Sequence, residues 1–312
     1  MIDLATRFRR GLALGAGLLA LALVAAGCDA FTDKDLGDSN PQTPTIAQYI
    51  QEVRVLSSLE AAVDEAGLAE TLENDGPFTV FAPVDDAFSP ALDPSLNQQV
   101  TRTVVQDHAV SGAVLSGELS DGQTVPTLSG DSLTIGTAGG VTVNRATVTN
   151  ADAEASNGVV HVVDNLLIDA VDRATLTPRF TIFARLVKEA GLADTLKTGG
   201  RTIFAPTNEA LLDALDQDGN GSIESSEIGP RSALEDILKH HVLDRVFLAA
   251  DVPTSETSVQ TLAGTDLMVV RDESTGTVTI TSGNEIATVG AADIVVDNGV
   301  IHGIDLMLTP YV

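Results

Sequence analysis

Apolar positions at Ile46, Ile50, Val53, Leu56, Leu59 and Val63 recur at helical spacing, with Thr45 placed to cap the start and Gly67 to end or bend the run. The apolar stretch 78–81 reads as a buried strand that Pro83 stops. A second helix is predicted over 98–110. From 114 to 169 the pattern changes to short alternating segments between Gly-rich turns, giving strands at 132–135, 141–143, 146–148 and 159–163. The plan then recurs: a helix at 180–188, a strand at 202–204, helices at 208–215 and 232–242. Strands follow at 267–270, 277–281, 285–289 and 300–308. Helices first and most strands later make an α+β class.

The recurrence is one of residues as well as of pattern. Asn157-Gly158-Val159-Val160-His161-Val162-Val163-Asp164 returns as Asn298-Gly299-Val300-Ile301-His302-Gly303-Ile304-Asp305. Ala66-Gly67-Leu68-Ala69-Glu70-Thr71-Leu72 returns as Ala190-Gly191-Leu192-Ala193-Asp194-Thr195-Leu196. Thr79-Val80-Phe81-Ala82-Pro83 returns as Thr202-Ile203-Phe204-Ala205-Pro206, and Asp107-His108-Ala109-Val110 as His240-His241-Val242-Leu243. Asn-Gly is expected to supply the positive φ angles of a two-residue hairpin turn. Blocks in one order, twice, mean two domains of one kind, assigned to 45–171 and 172–312 and joined by a short segment near 170–177. Domains separated so briefly should touch and hold a limited range of angles.

These blocks resemble the fasciclin domain family in three places. They are the Thr-Val-Phe-Ala-Pro segment, the His-centred segment after a helix, and the closing Asn-Gly-Val-Ile/Val-His-x-Ile/Val-Asp strand. The resemblance implies, for each domain, a helical layer packed on a wedge of short β-strands, and a role in adhesion. The family usually places Tyr before the central His, and animal members tie integrin binding to that region. Here Asp107 and His240 stand there instead, so integrin-type recognition is not carried over.

Residues 1–27 carry Arg7, Arg9 and Arg10, then an uncharged apolar run over 11–26 and small residues before Cys28. That order describes a secretory leader. A cut before the only Cys resembles a bacterial lipoprotein signal, with Cys28 as the lipidated residue. The run is slightly short for a membrane span. Two acyl chains, each buried methylene worth ~0.8 kcal/mol, would anchor the chain stably. Residues 28–44, rich in Asp with little to bury, are expected to form an acidic flexible tether. Acidic tethers accompany surface export in some bacteria, and Asp after the Cys marks retention at the inner membrane in others. The outer membrane or cell surface is the expected placement. One Cys excludes an intramolecular disulfide, so stability must come from packed cores.

Copy two carries an insertion, Asp216 to Glu227, with oxygen-bearing side chains at loop positions 1, 3, 5, 7, 9 and 12: Asp216, Asp218, Asn220, Ser222, Glu224 and Glu227. Gly221 falls at position 6, where the chain must turn sharply, and Ile223 at position 8. This is an EF-hand-like calcium loop. Asp216, Asp218 and Asn220 would give side-chain oxygens, Ser222 its carbonyl, Glu224 a water-mediated contact and Glu227 both carboxylate oxygens. The 208–215 helix enters the loop. Gly229-Pro230 interrupts the exit, with Pro230 expected at the first position of the restarted helix. A lone loop outside the cell should hold Ca2+ weakly, on the order of 10⁻⁴–10⁻³ M, in a structural role.

The chain has 44 acidic against 17 basic residues, a net charge of −27. Removing 1–27 takes away Asp3 and three Arg, leaving the rest more acidic still. Such a field excludes nucleic acid and direct adsorption to anionic lipid. The combination resembles proteins of salt-loving microbes, where screening within ~3 Å at 1 M salt leaves adhesion to close contacts or bridging cations. Among the five His, the repeat-equivalent ones lie in apolar segments and read as core residues. His161 and Asp164 fall on opposite strand faces, and His240 and His241 diverge on a helix. There is no nucleophile elbow, phosphate loop or Cys pair, so no enzyme is expected.

The sequence thus describes an exported, lipid-anchored, two-domain protein of the cell envelope. It would engage a cell-surface or matrix component, protein or polysaccharide. A pigment or lipid carrier, or a purely structural envelope component, are the other readings.

Overall fold

The computed structural model describes residues 43–89 and 92–310. The leader, Cys28 and the tether as far as residue 42 lie outside the described residues.

In the first domain Thr45 caps α1 (Ile46–Glu52) through a reciprocal capping box with Gln48. The helical run then breaks. Val53 is extended (φ −91°, ψ 102°), a single 3₁₀ turn follows, and α2 (Ser57–Ala66) resumes to end on left-handed Gly67. The sequence pattern had joined these into one helix, because apolar spacing continues across a sharp bend. The domain continues with α3 (Ala69–Asn74), β1 (Phe78–Pro83) and α4 (Gln98–Asp107). It closes with β2 (Ala109–Ser111), β3 (Thr124–Pro126), β4 (Ser132–Gly136), β5 (Thr142–Val143), β6 (Ala146–Ala155) and β7 (Gly158–Val163). The helix predicted to reach 110 stops at Asp107, and Ala109 and Val110 pair with Val80 and Thr79.

The second domain repeats this with α5 (Ala170–Leu176), α6 (Thr181–Ala190), α7 (Ala193–Lys197), β8 (Arg201–Pro206), α8 (Asn208–Leu215), α9 (Ser225–Ile228) and α10 (Arg231–His240). Its strands are β9 (Val242–Leu243), β10 (Thr257–Gln260), β11 (Asp266–Arg271), β12 (Val278–Ser282), β13 (Glu285–Val296) and β14 (Gly299–Ile304). Here too the helix expected to reach 242 ends at His240 and hands over to a strand. The joint near 170–177 is itself a helix, α5, and it is the counterpart of α1. Ala170 donates to Asn298 Oδ1 as Ile46 donates to Asn157 Oδ1.

Each sheet has seven strands, ordered β2-β1-β7-β6-β5-β4-β3 and β10-β11-β12-β13-β14-β8-β9. One strand in from an edge of each, a parallel pair (β1 with β7, β8 with β14) sits in an otherwise antiparallel sheet. Strands β7 and β14 are buried on both faces, which explains their continuous apolar runs. Apolar cores fill the spaces between helices and sheet and within the curl of each sheet.

Every polar residue of the duplicated motif has a structural task. Asn157 accepts from Ile46 N–H at 2.9 Å and donates to the Leu72 and Asp75 carbonyls, both at 2.8 Å, tying three elements to the sheet. The hairpin turn is Ser156-Asn157, and Asn157 does not take positive φ. Gly158 instead begins β7, where a Cβ would lie 1.9 Å from the Phe78 carbonyl oxygen; at Gly299 it would lie 1.9 Å from that of Arg201. The glycine therefore serves the close parallel pair, not the turn. His161 Nδ1 accepts the amide of bulge residue Asp152 at 3.1 Å, and Nε2–H donates to the Val114 carbonyl at 2.9 Å. His302 repeats this with Asp293 and Phe247. Asp164 and Asp305 accept the Thr147 and Thr288 amides, each at 2.6 Å.

Candidate metal site

Thr207 caps α8 through Ala210 N–H at 3.2 Å, and the helix delivers Asp216 at its C-terminal end. Asp216 then organises the loop. Its Oδ1 accepts from Gly219 and Asn220 amides at 2.8 and 3.2 Å, and its Oδ2 from Gly221 at 2.8 Å. Gly219 and Gly221 both take positive φ, 72° and 81°, letting the amides converge on one carboxylate. Asp218 Oδ1 accepts from the Asn220 amide at 3.1 Å. Asn220 Oδ1 accepts from Ser222 N–H at 2.8 Å, while its Nδ2 donates to Asp218 and Glu224 at 3.0 and 3.1 Å.

The far end folds back. Glu227 Oε1 accepts from Gln217 N–H at 2.7 Å and Oε2 from Glu224 N–H at 2.9 Å. Carboxylate oxygens of Asp216, Asp218 and Glu227 come within 4.8 Å of one another. The loop thus gathers positions 1, 3 and 12, while the Asn220 and Glu224 side chains are engaged with each other. Hydrogen bonds from the Glu224 and Gln217 amides hold the Glu227 carboxyl below its ordinary range, whereas its contact with Glu227 pushes Glu224 up. Three hard carboxylates on a mostly exposed loop suit a divalent cation and offer nothing to a soft one.

Two supports are not legible in the loop itself. Ile223 is buried in the second-domain core, and its carbonyl accepts from Arg185 Nη2 at 3.1 Å. Arg185 comes from α6, 38 residues earlier in the chain. The exit helix α9 is a single turn. Gly229 interrupts it, and Pro230 caps α10 from outside, one place before the position expected for it.

The histidines are engaged elsewhere. Both ring nitrogens of all five have hydrogen-bond partners. His240 bonds Thr265 and Ser282 hydroxyls at 2.5 and 2.8 Å, while His241 points into the core. No helix of the described residues is long and apolar enough to cross a membrane.

The chain, whose two sheets each hold one parallel pair closed by the Asn-Gly…His…Asp strand, matches the fasciclin domain model at residues 54–169 and again at 178–310. The chain belongs to the fasciclin domain family. Among fasciclin relatives, Protein sll1483 of Synechocystis sp. is 36% identical over 170 residues, covering 51% of this chain and 91% of that protein. Human periostin is 30% identical over 267 residues, covering 79% of this chain and 30% of periostin. Transforming growth factor-beta-induced protein ig-h3 of Sus scrofa is 29% identical over 276 residues, covering 86% and 38%. The chain therefore spans about a third of the length of the two animal proteins. A solved FAS1 domain pair from the insect cell adhesion molecule fasciclin I aligns with a TM-score of 0.40 and 18% identity, over 82% of this chain and 97% of that one.

Proposed function

We propose that this fasciclin protein is an exported adhesion component, anchored through a lipid on Cys28, that engages a surface or matrix polymer outside the cell. The twofold fasciclin match over 54–169 and 178–310 supports the reading most directly. The anchor rests on the leader-like stretch before Cys28. The loop Asp216–Glu227 would hold Ca2+ as a clip, with Asp216, Asp218 and Glu227 as the carboxylate ligands already gathered. Asn220, the Ser222 carbonyl and Glu224 would complete the set after the Asn220–Glu224 bond opens. Bound calcium would join α8 to α9 and fix the loop over α6, without touching the chemistry of a substrate.

A carrier role has less to rest on among the described residues. The enclosed apolar cavity between α8 and α10, lined by Leu211, Leu215, Leu234 and Leu238, holds about 10 Å³, and the larger spaces, about 380 Å³ beside Ser58 and Leu92 and about 650 Å³ beside Leu96 and Arg185, are open surface clefts. Pigments and lipids need an enclosing pocket of several hundred Å³.

The test is binding of purified 43–312 to the source cells and their extracellular polymer, with calcium and with chelator. Saturable binding supports adhesion, and its loss on chelation gives the loop a part in it. Binding indifferent to chelation keeps adhesion and leaves the loop a structural clip. Absence of binding in both conditions overturns the adhesion reading.

A further inference from the structure

Five carboxylates from both domains meet where α5 joins them. Asp107 ends α4, and Asp131 lies in the turn before β4. Asp169 caps α5, Asp172 sits in its first turn, and Asp297 stands in the β13–β14 turn. Among the described residues, two ammonium groups face them: Lys197, 3.0 Å from Asp169, and Lys188, whose Nζ donates to Thr175 at 2.9 Å. Arg173, next to Asp172 on α5, turns its guanidinium to the Ala87 and Ser89 carbonyls, and the hydrogen-bonding neighbours of Asp107 and Asp297 are neutral. Thr127 and Ser129 hydroxyls donate to Asp107, and Asn144 of the first domain faces Asp297 of the second. The Asp297 amide donates to the Ile168 carbonyl at 2.9 Å, which pins its turn against the joint.

The duplication supplies an internal control. Each of the five positions has a counterpart in the other copy, identified by the same hydrogen bond or the same place in a repeated block. Asp107 corresponds to His240. Asp131 corresponds to Thr265, both carbonyls accepting from the amide of the Thr four residues earlier. Asp169 corresponds to Thr45 and Asp172 to Gln48, as N-cap and third helical residue. Asp297 corresponds to Ser156, whose amide donates to Pro44 as that of Asp297 does to Ile168. None of these counterparts is acidic, and none faces the seam. At these five positions acid stands only in the copy that borders the joint, so the pattern goes beyond the overall acidity of the chain.

We propose that this seam is a proton-operated clasp between the two fasciclin domains: protonating Asp107, Asp172 and Asp297 closes the joint, and ionising them loosens it. Like charges drawn together in a partly buried interface repel unless some are neutralised. Burial above all, with repulsion from neighbouring carboxylates, raises Asp107 and Asp172 to about 6 and Asp297 to about 7. The closed joint therefore binds protons more tightly than the open one. Closure is most stable near pH 4 and weakens as pH rises through 6 and 7. Lys197 and Lys188 offset part of the charge at the start of α5.

The experiment is amide hydrogen exchange of α5 and the β13–β14 turn in the full chain, at low salt, corrected for intrinsic rates. Local opening should increase at least ~10-fold between pH 5 and pH 8, one factor of ten per pKa unit of displacement. Asp297→Asn, a neutral isostere of the protonated side chain, should remove most of that rise while leaving exchange in β1 and β7 unchanged. Glu154→Gln, an exposed acid away from the seam, should keep the full rise. Equal opening of the wild-type seam at both pH values overturns the clasp. So does an Asp297→Asn seam that retains the whole pH dependence.

Discussion

The Nε2 atom of His108 accepts the backbone N–H of Leu167 at 2.9 Å, and its Nδ1–H donates to the Val104 carbonyl at 2.7 Å. His241 makes the same pair of bonds with Leu308 and Ile237. A ring that must accept through Nε2 has to stay neutral, and burial lowers both histidines to about 4. Folding therefore disfavours their protonation. Stability is fully present above the ordinary histidine value near 6.5 and is lost as pH falls through 6.5 towards 4, on the order of 3 kcal/mol per ring. Chemical denaturation between pH 7.5 and 4 should show this slope, and His108→Gln should flatten about half of it. The seam carboxylates act in the opposite sense over the same window, so global and local measurements will diverge.

Asn157 satisfies one amide and two carbonyls at once. Asn157→Ala should cost ~2–4 kcal/mol, because three partners lose their bonds at a partly buried place. Asn157→Asp keeps the bond from Ile46 but turns a carboxylate towards the Leu72 and Asp75 carbonyls, and should be no better. Urea melts of the two variants decide the matter. A loss below 1 kcal/mol in both would show that water replaces the side chain.

Two glycines make a contrasting pair. Gly158→Ala would place a methyl 1.9 Å from the Phe78 oxygen and should prevent native β1–β7 pairing, costing ~3 kcal/mol or more. Gly221→Ala meets nothing within 4 Å and bears only the positive φ, so ~1 kcal/mol is expected. Thermal melts in chelator should separate the two clearly.

With a dissociation constant near 10⁻³ M, 10 mM calcium should raise the stability of the second domain by ~1.4 kcal/mol. Glu227→Gln should remove that rise, since Glu227 reaches Gln217 and Glu224 from the last loop position. Ser255→Ala, remote from the loop, should keep it. A shift that survives Glu227→Gln would place the cation elsewhere.

Much of this architecture is written openly in the chain. The repeated Asn-Gly…His…Asp strand exposed the duplication, and the spacing of Asp216, Asp218 and Glu227 pointed to the three carboxylates that converge. Other features depend on partners that periodicity does not name. Nothing in the 78–83 or 158–163 runs tells that these strands, about 80 residues apart, lie parallel. Ala109 and Val110 looked helical because a short apolar segment fits either period over so short a length. The hold of Arg185 on Ile223 and the gathering of acids at the joint arise between distant elements. The glycine of the duplicated motif was correctly singled out for a wrong reason, since close approach and turn conformation favour the same residue.

Helix α5 belongs to both domains at once. Ala170, Val171 and Ala174 pack into the second core, while Leu176 packs into the first. Arg173, fully buried, donates from its guanidinium to the Ala87 and Ser89 carbonyls of the first domain. The molecule therefore has no neutral place to be divided. A cut before α5 strips the first core of Leu176, and a cut after it takes from the second the helix that its own Asn298 is built to hold. Duplication here has produced two domains that share one helix, so loosening the seam frees their edges without releasing either domain from α5.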